Sequence, residues 1–315
     1  MVQNNLTKAK SAPKNGIKAF NNLIQSNIMR TKIYQMVGRT DAQEFITSIT
    51  SAVNNNPTLA ECDSQSIISA ALLGQSLHLK PSPQLGYFYM VPFNNKKKGC
   101  KEAQFQIGYK GYLQLAIRTG EYIDIDAIEI REGEYKGRNR LTGKPEFEFV
   151  DDDAVRENIP VFGYMAYFEI KNGYIKRLYW SKEKMIKHAD EYSQAFSAKK
   201  LEELQAGKIP QNELWKYSSF WYKNFDEMAK KTMLRQLLSK HALLSTEMQK
   251  AIEADQAIIN EELQPSYVDN PDVIDNETVT PEETNQIEEN VAPTIDVSQF
   301  AKEPVMESLD DDPMA

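Results

Sequence analysis

The chain has 315 residues, 41% of them hydrophobic and 26% charged, with a formal net charge of −8, enough for a sizeable core and a length that allows about two domains. Its two cysteines, Cys62 and Cys100, lie far apart with no CxxC, and His78, His188 and His241 are scattered, which excludes a disulfide framework and offers no zinc-ligand spacing. No apolar run approaches the ~20 residues of a membrane span, and the N-terminus lacks signal-peptide character, so the chain reads as soluble and cytoplasmic, with no membrane role.

The net charge conceals an asymmetry. Residues 246–315 hold 19 of the 45 acidic residues and, of the 37 basic ones, only Lys250 and Lys302, a net of −17 that leaves +9 on residues 1–245. A basic body suits a polyanionic partner, which the overall −8 would argue against.

In chain order, residues 1–30 carry Lys8, Lys10, Lys14, Lys18 and Arg30 and no acid, so residues 1–35 read as a basic N-terminal arm, partly disordered. Asp41 is a plausible N-cap for a helix carrying Phe45, Ile46, Ile49 and Val53 toward Pro57. A second helix is predicted from Ser64 to about Leu77 after Asp63, with a small-residue face at Ala70, Ala71 and Gly74. The pattern then changes to strands at 87–91 and 103–107, joined by the polar loop 94–99. Gly108 breaks the second strand and a helix follows, closed by Gly120. Strands resume at 122–130, 147–149, 161–170 and 174–180, the last two joined by Asn172-Gly173, which signals a type I′ hairpin. Helices return at roughly 182–191 and 212–243. The sum is an α+β body with a mostly antiparallel β-sheet packed with helices. It spans residues 36–245 and is followed by an acidic, largely disordered tail over 246–315. Beyond about Glu262 that tail has repeated prolines and no apolar periodicity.

Two blocks mix cations with aromatic or flexible apolar side chains, as a site that holds phosphates while stacking bases requires. In residues 105–120 a strand turns at Gly108 directly into a helix, whose free N-terminal N–H groups attract phosphate. Lys110, Gln114 and Arg118 recur every four residues and share one side of that helix, with Tyr109 and Tyr112 at its mouth. In the second block Lys216, Lys223 and Lys230 are seven apart, nearly superimposed around one helix, and Lys231 and Arg235 broaden the cationic surface. Trp215, Phe220, Trp221, Tyr222 and Phe225 crowd its entry; most of these rings are expected in the core, one or two facing bases.

Three stretches carry a family resemblance: Leu72-Leu-Gly-Gln-Ser-Leu-His-Leu-Lys-Pro81, Gln104-Phe-Gln-Ile-Gly-Tyr-Lys-Gly-Tyr112 and Met228-Ala-Lys-Lys-Thr-Met-Leu-Arg235. In this order and spacing they resemble the blocks of the RecT family of phage single-strand annealing proteins, over roughly residues 30–245. The resemblance implies an ATP-independent protein, not an enzyme, that coats single-stranded DNA, forms a homo-oligomeric ring or helical filament, and anneals complementary strands through a duplex intermediate during recombination. It implies no cofactor, with a phage exonuclease and a host single-stranded-DNA-binding protein as partners. By position in these motifs, Lys110, Tyr112, Arg118, Lys230, Lys231 and Arg235 are the leading groove residues.

Three other readings rank lower. Residues 137–145 imitate a P-loop, but with five residues between the glycines and Pro145 where Ser or Thr should hold magnesium. A metal-dependent nuclease would use Glu169-Ile-Lys171, Asp124, Asp126 and the acids Asp151 to Asp153, yet Glu169 and Lys171 read more simply as a solvent-facing pair at a hairpin end. A coat or adaptor protein that binds single strands without annealing shares every cation and ring named above.

Overall fold

The computed structural model describes residues 14–267 apart from 83 and 194. The first 13 residues of the basic arm and the acidic stretch from 268 onward lie outside the described residues.

Where composition predicts an arm, the structure has two helices, α1 (Lys14–Gln25) and α2 (Asn27–Val37). The reason is an apolar stripe among the lysines: Phe20, Ile24, Met29 and Ile33 are buried, and Ser26 caps α2 by accepting the Met29 N–H. α3 (Arg39–Asn55) buries Ala42, Phe45, Ile46, Ile49, Ala52 and Val53 along one face, as the periodicity predicts. Its N-cap is Gly38, and Asp41 instead occupies the first turn, where a negative charge complements the helix dipole. After a 3-10 turn at Leu59–Glu61, α4 (Ser64–Ser76) begins where Asp63 accepts the Ser66 N–H at 2.9 Å. These four helices pack on one another, and α4 carries them onto the first sheet.

That sheet starts with the hairpin β1 (Phe88–Asn95) and β2 (Cys100–Ile107), in register from Phe88 against Ile107 to Asn95 against Cys100. α5 (Tyr109–Arg118) follows, then β3 (Tyr122–Arg131), β4 (Tyr135–Arg138), β5 (Pro145–Phe147) and the short α6 (Asp153–Arg156). β6 (Val161–Ile170) and β7 (Ile175–Ser181) lead into α7 (Lys182–Tyr192) and α8 (Ala198–Gln205). Among the described residues every pair of these strands is antiparallel. The α+β expectation therefore holds, but the strands divide into three sheets ordered β1-β2-β8-β9, β3-β6-β7 and β4-β5, where β8 (Ala257–Ile259) and β9 (Pro265–Ser266) come from the last described stretch. The β6–β7 turn is not type I′: only Gly173 has a positive φ, its N–H donates to Ile170 O at 2.8 Å, and Ile170 N–H donates to Tyr174 O at 3.1 Å. That is a three-residue connection with glycine in the left-handed position.

Two further departures concern the second block and the tail. The helix expected over 212–243 is three pieces: a 3-10 turn at Gln211–Tyr217, α9 (Phe220–Lys223) and α10 (Phe225–His241). Ser219 caps α9, and Asn224, at φ −138 and ψ 59, breaks the chain before α10. The tail boundary drawn at 246 also moves, because α11 (Thr246–Ala254) and β8 bury Met248, Ala251, Ala254, Ala257 and Ile259. β8 adds to the first sheet through the pairs Gln104–Ile258 and Phe105–Ala257. Charge was a misleading guide here, since half of the residues in 246–259 face inward. Residues 14–267 hold 34 of the basic and 31 of the acidic residues, a net of +3, and 268–315 carry −13. α10 packs across β3, β6 and β7 and also touches α5 and α11, so it joins the two sheets' cores.

Candidate nucleic-acid interface

The first block is shaped by close backbone approach. A Cβ at Gly108 would lie 2.0 Å from Gly86 O, and one at Gly111 2.0 Å from Tyr87 O. Only glycine at these positions lets residues 86–87 lie against the first turn of α5, where Gly108 N–H donates to Tyr87 O at 2.8 Å. No side chain caps that turn. Lys110, Gln114 and Arg118 share one side of α5 as the spacing predicts, with Lys110 and Arg118 exposed and Gln114 half-buried. Arg118, however, already donates to Leu77 O at 2.8 Å and His78 O at 3.3 Å, closing the C-terminal carbonyls of α4. Tyr109 is half-buried; its hydroxyl donates to the Asp126 carboxylate and accepts the Ala127 N–H at 3.1 Å. Burial, then the Asp126 bond, pushes its pKa up.

Tyr112, Lys231 and Arg235 lie together, Tyr112 in the core and the two cations half-buried beside it. Their organiser is Asp255, fully buried, a residue the sequence reading placed in the tail. It accepts the Ile107 N–H at 2.9 Å and the Tyr112 hydroxyl at 2.9 Å, and pairs with Arg235 Nε at 3.3 Å. Tyr112 has no exposed surface; burial and the adjacent carboxylate drive its hydroxyl pKa well above the ordinary value. Tyr112 is thus a core residue, not a stacking platform. The half-buried Lys231 has its pKa lowered by burial, Asp255 pulling the other way and Arg235 adding to the decrease. Asp255 ties β2, α5, α10 and the α11–β8 junction together. The signal that could have found it is the apolar spacing Met248, Ala251, Ala254 followed by Ala257-Ile-Ile259.

Lys216, Lys223 and Lys230 do not form one stripe, since they sit on three separate pieces. Lys230 is turned to Glu227 at 2.7 Å and Glu129 at 3.5 Å. Burial works against its charge, but these carboxylates outweigh it and hold its pKa above the ordinary lysine value. Lys216 and Lys223 are exposed, Lys216 pairing with Glu213 at 3.2 Å. The rings between them divide cleanly. Trp221 is buried, and Trp221, Tyr222 and Phe225 all pack around Phe196. Trp215 and Phe220 are 73% and 62% exposed. Residues 215–223 thus present two open rings flanked by two exposed lysines, the combination that single-stranded nucleic acid needs.

Two acids of the nuclease reading have local tasks. Asp126 receives Tyr109, and Asp152 caps α6 by accepting two N–H groups. Glu169 and Lys171 lie at the end of β6 beside the turn. Among the described residues no group of three or more His, Cys, Asp or Glu is placed to hold a metal ion. The P-loop-like stretch is a hairpin, Arg138 pairing with Pro145. Among the described residues no helix is long and apolar enough to cross a membrane.

The described residues thus form an α+β scaffold of antiparallel sheets and helices on which Trp215, Lys216, Phe220 and Lys223 are exposed, and comparison with known proteins places it in a family. The RecT family pattern matches residues 43–289, and the chain belongs to that family. It is 38% identical over 231 residues to the Bacillus subtilis (strain 168) protein named "Uncharacterized protein YqaK", covering 73% of this chain and 69% of that one. It is 30% identical over 223 residues to "Protein RecT" of Escherichia coli (strain K12), covering 68% and 71%. The match runs past Asp255 and β8, through the stretch that the charge boundary had excluded.

Proposed function

We propose that this protein binds single-stranded DNA and anneals complementary strands without nucleotide hydrolysis, acting as a homo-oligomer in phage-type recombination. Membership of the RecT family carries this reading: the family implies a single-strand annealing, non-catalytic role. Annealing requires one strand held by its backbone with base edges open to a second strand, so the protein needs phosphate contacts and sequence-tolerant stacking and no reading of bases. The exposed set Trp215, Lys216, Phe220 and Lys223 supports that mode, with Lys110 as a further exposed cation on α5. A phage exonuclease and a host single-stranded-DNA-binding protein are the partners this reading brings with it.

The test is a fluorescence annealing assay with complementary oligonucleotides and no ATP, run beside a binding titration at several salt concentrations. Accelerated pairing is expected from the wild-type protein. Trp215→Ala and Phe220→Ala should each weaken single-strand binding by about 1–3 kcal/mol. Lys216→Ala and Lys223→Ala should each flatten the slope of log affinity against log salt by about 0.7. Binding without accelerated pairing would make the protein a coat or adaptor instead.

A further inference from the structure

We propose that the outer face of the β1–β2 hairpin is a second surface for single-stranded DNA, on which bases lie against Tyr89 and its row while lysines at both ends of the face take phosphates. This deepens the proposed function and rests on it. Register fixes which side chains share that face: Tyr89 stands opposite Gln106, Val91 opposite Gln104 and Phe93 opposite Glu102. The alternate residues Phe88, Met90, Phe105 and Ile107 point the other way into the core, where Phe88 lies so close to Gly74 of α4 that a Cβ there would meet its ring at 2.3 Å.

Three observations point to a nucleic-acid strand. The first is the row itself. Tyr89 is 42% exposed, Val91 and Phe93 are half-buried, and all three stand outside the hydrophobic core. From Tyr89 to Phe93 the strand rises about 13 Å, room for a short run of bases at ~3.4 Å each, and an aromatic ring accepts any base by its face. The second is charge at both ends. The Tyr89 hydroxyl and the Lys110 side chain come within 3.2 and 3.7 Å of the place a Cβ on Gly86 would take, and the Tyr89 ring within 3.2 Å of that place on Gly108, so two glycines make room for the ring beside the lysine. At the other end exposed Lys96 and Lys97 ride on a loop held by buried Asn95, which accepts the Lys97 and Lys98 N–H groups at 3.0 and 3.2 Å. Among the described residues none of Lys96, Lys97 and Lys110 pairs with a carboxylate, which leaves all three for phosphates. The third observation disfavours a polypeptide. Pro92 sits in β1, the outermost strand, where it interrupts the free edge against an added strand, and unpaired lysines are depleted where protein surfaces meet.

The experiment measures the affinity of the full-length protein for a base-bearing single strand and for an abasic strand of equal length, in wild type, Tyr89→Ala, Tyr89→Phe and the double variant Lys96→Ala/Lys97→Ala. Wild type should prefer the base-bearing strand. Tyr89→Ala should weaken that strand roughly five- to hundredfold and leave the abasic strand unchanged, while Tyr89→Phe keeps the ring and should bind as wild type does. The double lysine variant should flatten the slope of log affinity against log salt by about 1.4 on both strands, two contacts at about 0.7 each. Tyr89 stands outside the core and the lysines on an exposed loop, so thermal unfolding of every variant should match wild type. Wild-type binding with an unaltered base preference in Tyr89→Ala, or an unchanged salt slope in the double variant, overturns the sheet face and leaves the proposed function standing. Unaltered binding together with changed sedimentation of DNA-free Tyr89→Ala would make the face a contact between copies instead. Failure of wild type to bind either strand overturns both proposals.

Discussion

Replacing Asp255 with alanine removes the acceptor of the Ile107 N–H and of the Tyr112 hydroxyl and also the carboxylate paired with Arg235 at 3.3 Å. Breaking a buried ion pair by deleting one partner costs about 3–5 kcal/mol, and each buried donor left unpaired costs about 1–3. These terms overlap. The Arg235 side chain also keeps 22% of its surface exposed, so water can take back part of its loss, and a total of about 3–5 kcal/mol is expected. Against the 5–15 kcal/mol of a typical domain this is a large fraction. Asp255→Asn keeps one acceptor oxygen, able to receive the Ile107 N–H, but sets an NH2 donor where the other oxygen received the Tyr112 hydroxyl and faced Arg235, so a smaller loss of about 1–3 kcal/mol is expected. Urea unfolding reads the difference as a shift of midpoint at constant slope. A double-mutant cycle with Arg235→Met should show positive coupling, because methionine removes the charge that alanine at 255 strands. Truncation after residue 245 deletes Asp255 and β8 and should abolish the cooperative transition, whereas truncation after 267 should retain it. A loss below about 1 kcal/mol for Asp255→Ala, or equal losses for alanine and asparagine, would refute the assignment of Asp255 as the organising residue.

Glu134 gives a pH prediction. It is buried and accepts from Arg156 Nε at 2.6 Å, Arg131 N–H at 2.7 Å and Val150 N–H at 3.4 Å; burial raises its pKa, but these bonds outweigh it and the net shift is downward. Its stabilising contribution is therefore fully present above the unfolded value of about 4.3 and lost as pH falls through the lower folded value. Glu134→Gln should flatten that acid limb in unfolding midpoints measured from pH 6 downward, and an unchanged limb would remove Glu134 from the acid response. The cysteines should differ in reactivity, since burial pushes the Cys62 thiol to about 12 while Cys100 is exposed. A thiol reagent at neutral pH should titrate Cys100 alone in the native protein and both after unfolding; rapid labelling of native Cys62 would contradict its burial.

By itself the sequence determined what is encoded locally. Asp63 ahead of an apolar run gave α4 its start, the polar loop 94–99 gave the β1–β2 hairpin, and Gly108 between a strand and an amphipathic segment gave the turn into α5. These features depend on residues within a few positions of each other, so periodicity and capping suffice. The three family blocks were likewise legible, because order and spacing are linear properties. Charge counting was a poor guide to domain limits: it assigned the apolar stripe of α1–α2 to an arm and α11–β8 to a tail, although both bury side chains against distant partners. What only the tertiary structure decided is which way the cations and rings of those blocks face. Tyr112 turns inward because Asp255 arrives from 143 residues beyond it to receive its hydroxyl and to pair with Arg235, and Trp215 and Phe220 stay open because Phe196 gathers Trp221, Tyr222 and Phe225 instead. A side chain's burial is set by whichever residues the fold brings opposite it, and no local window of sequence around Tyr112 contains that partner.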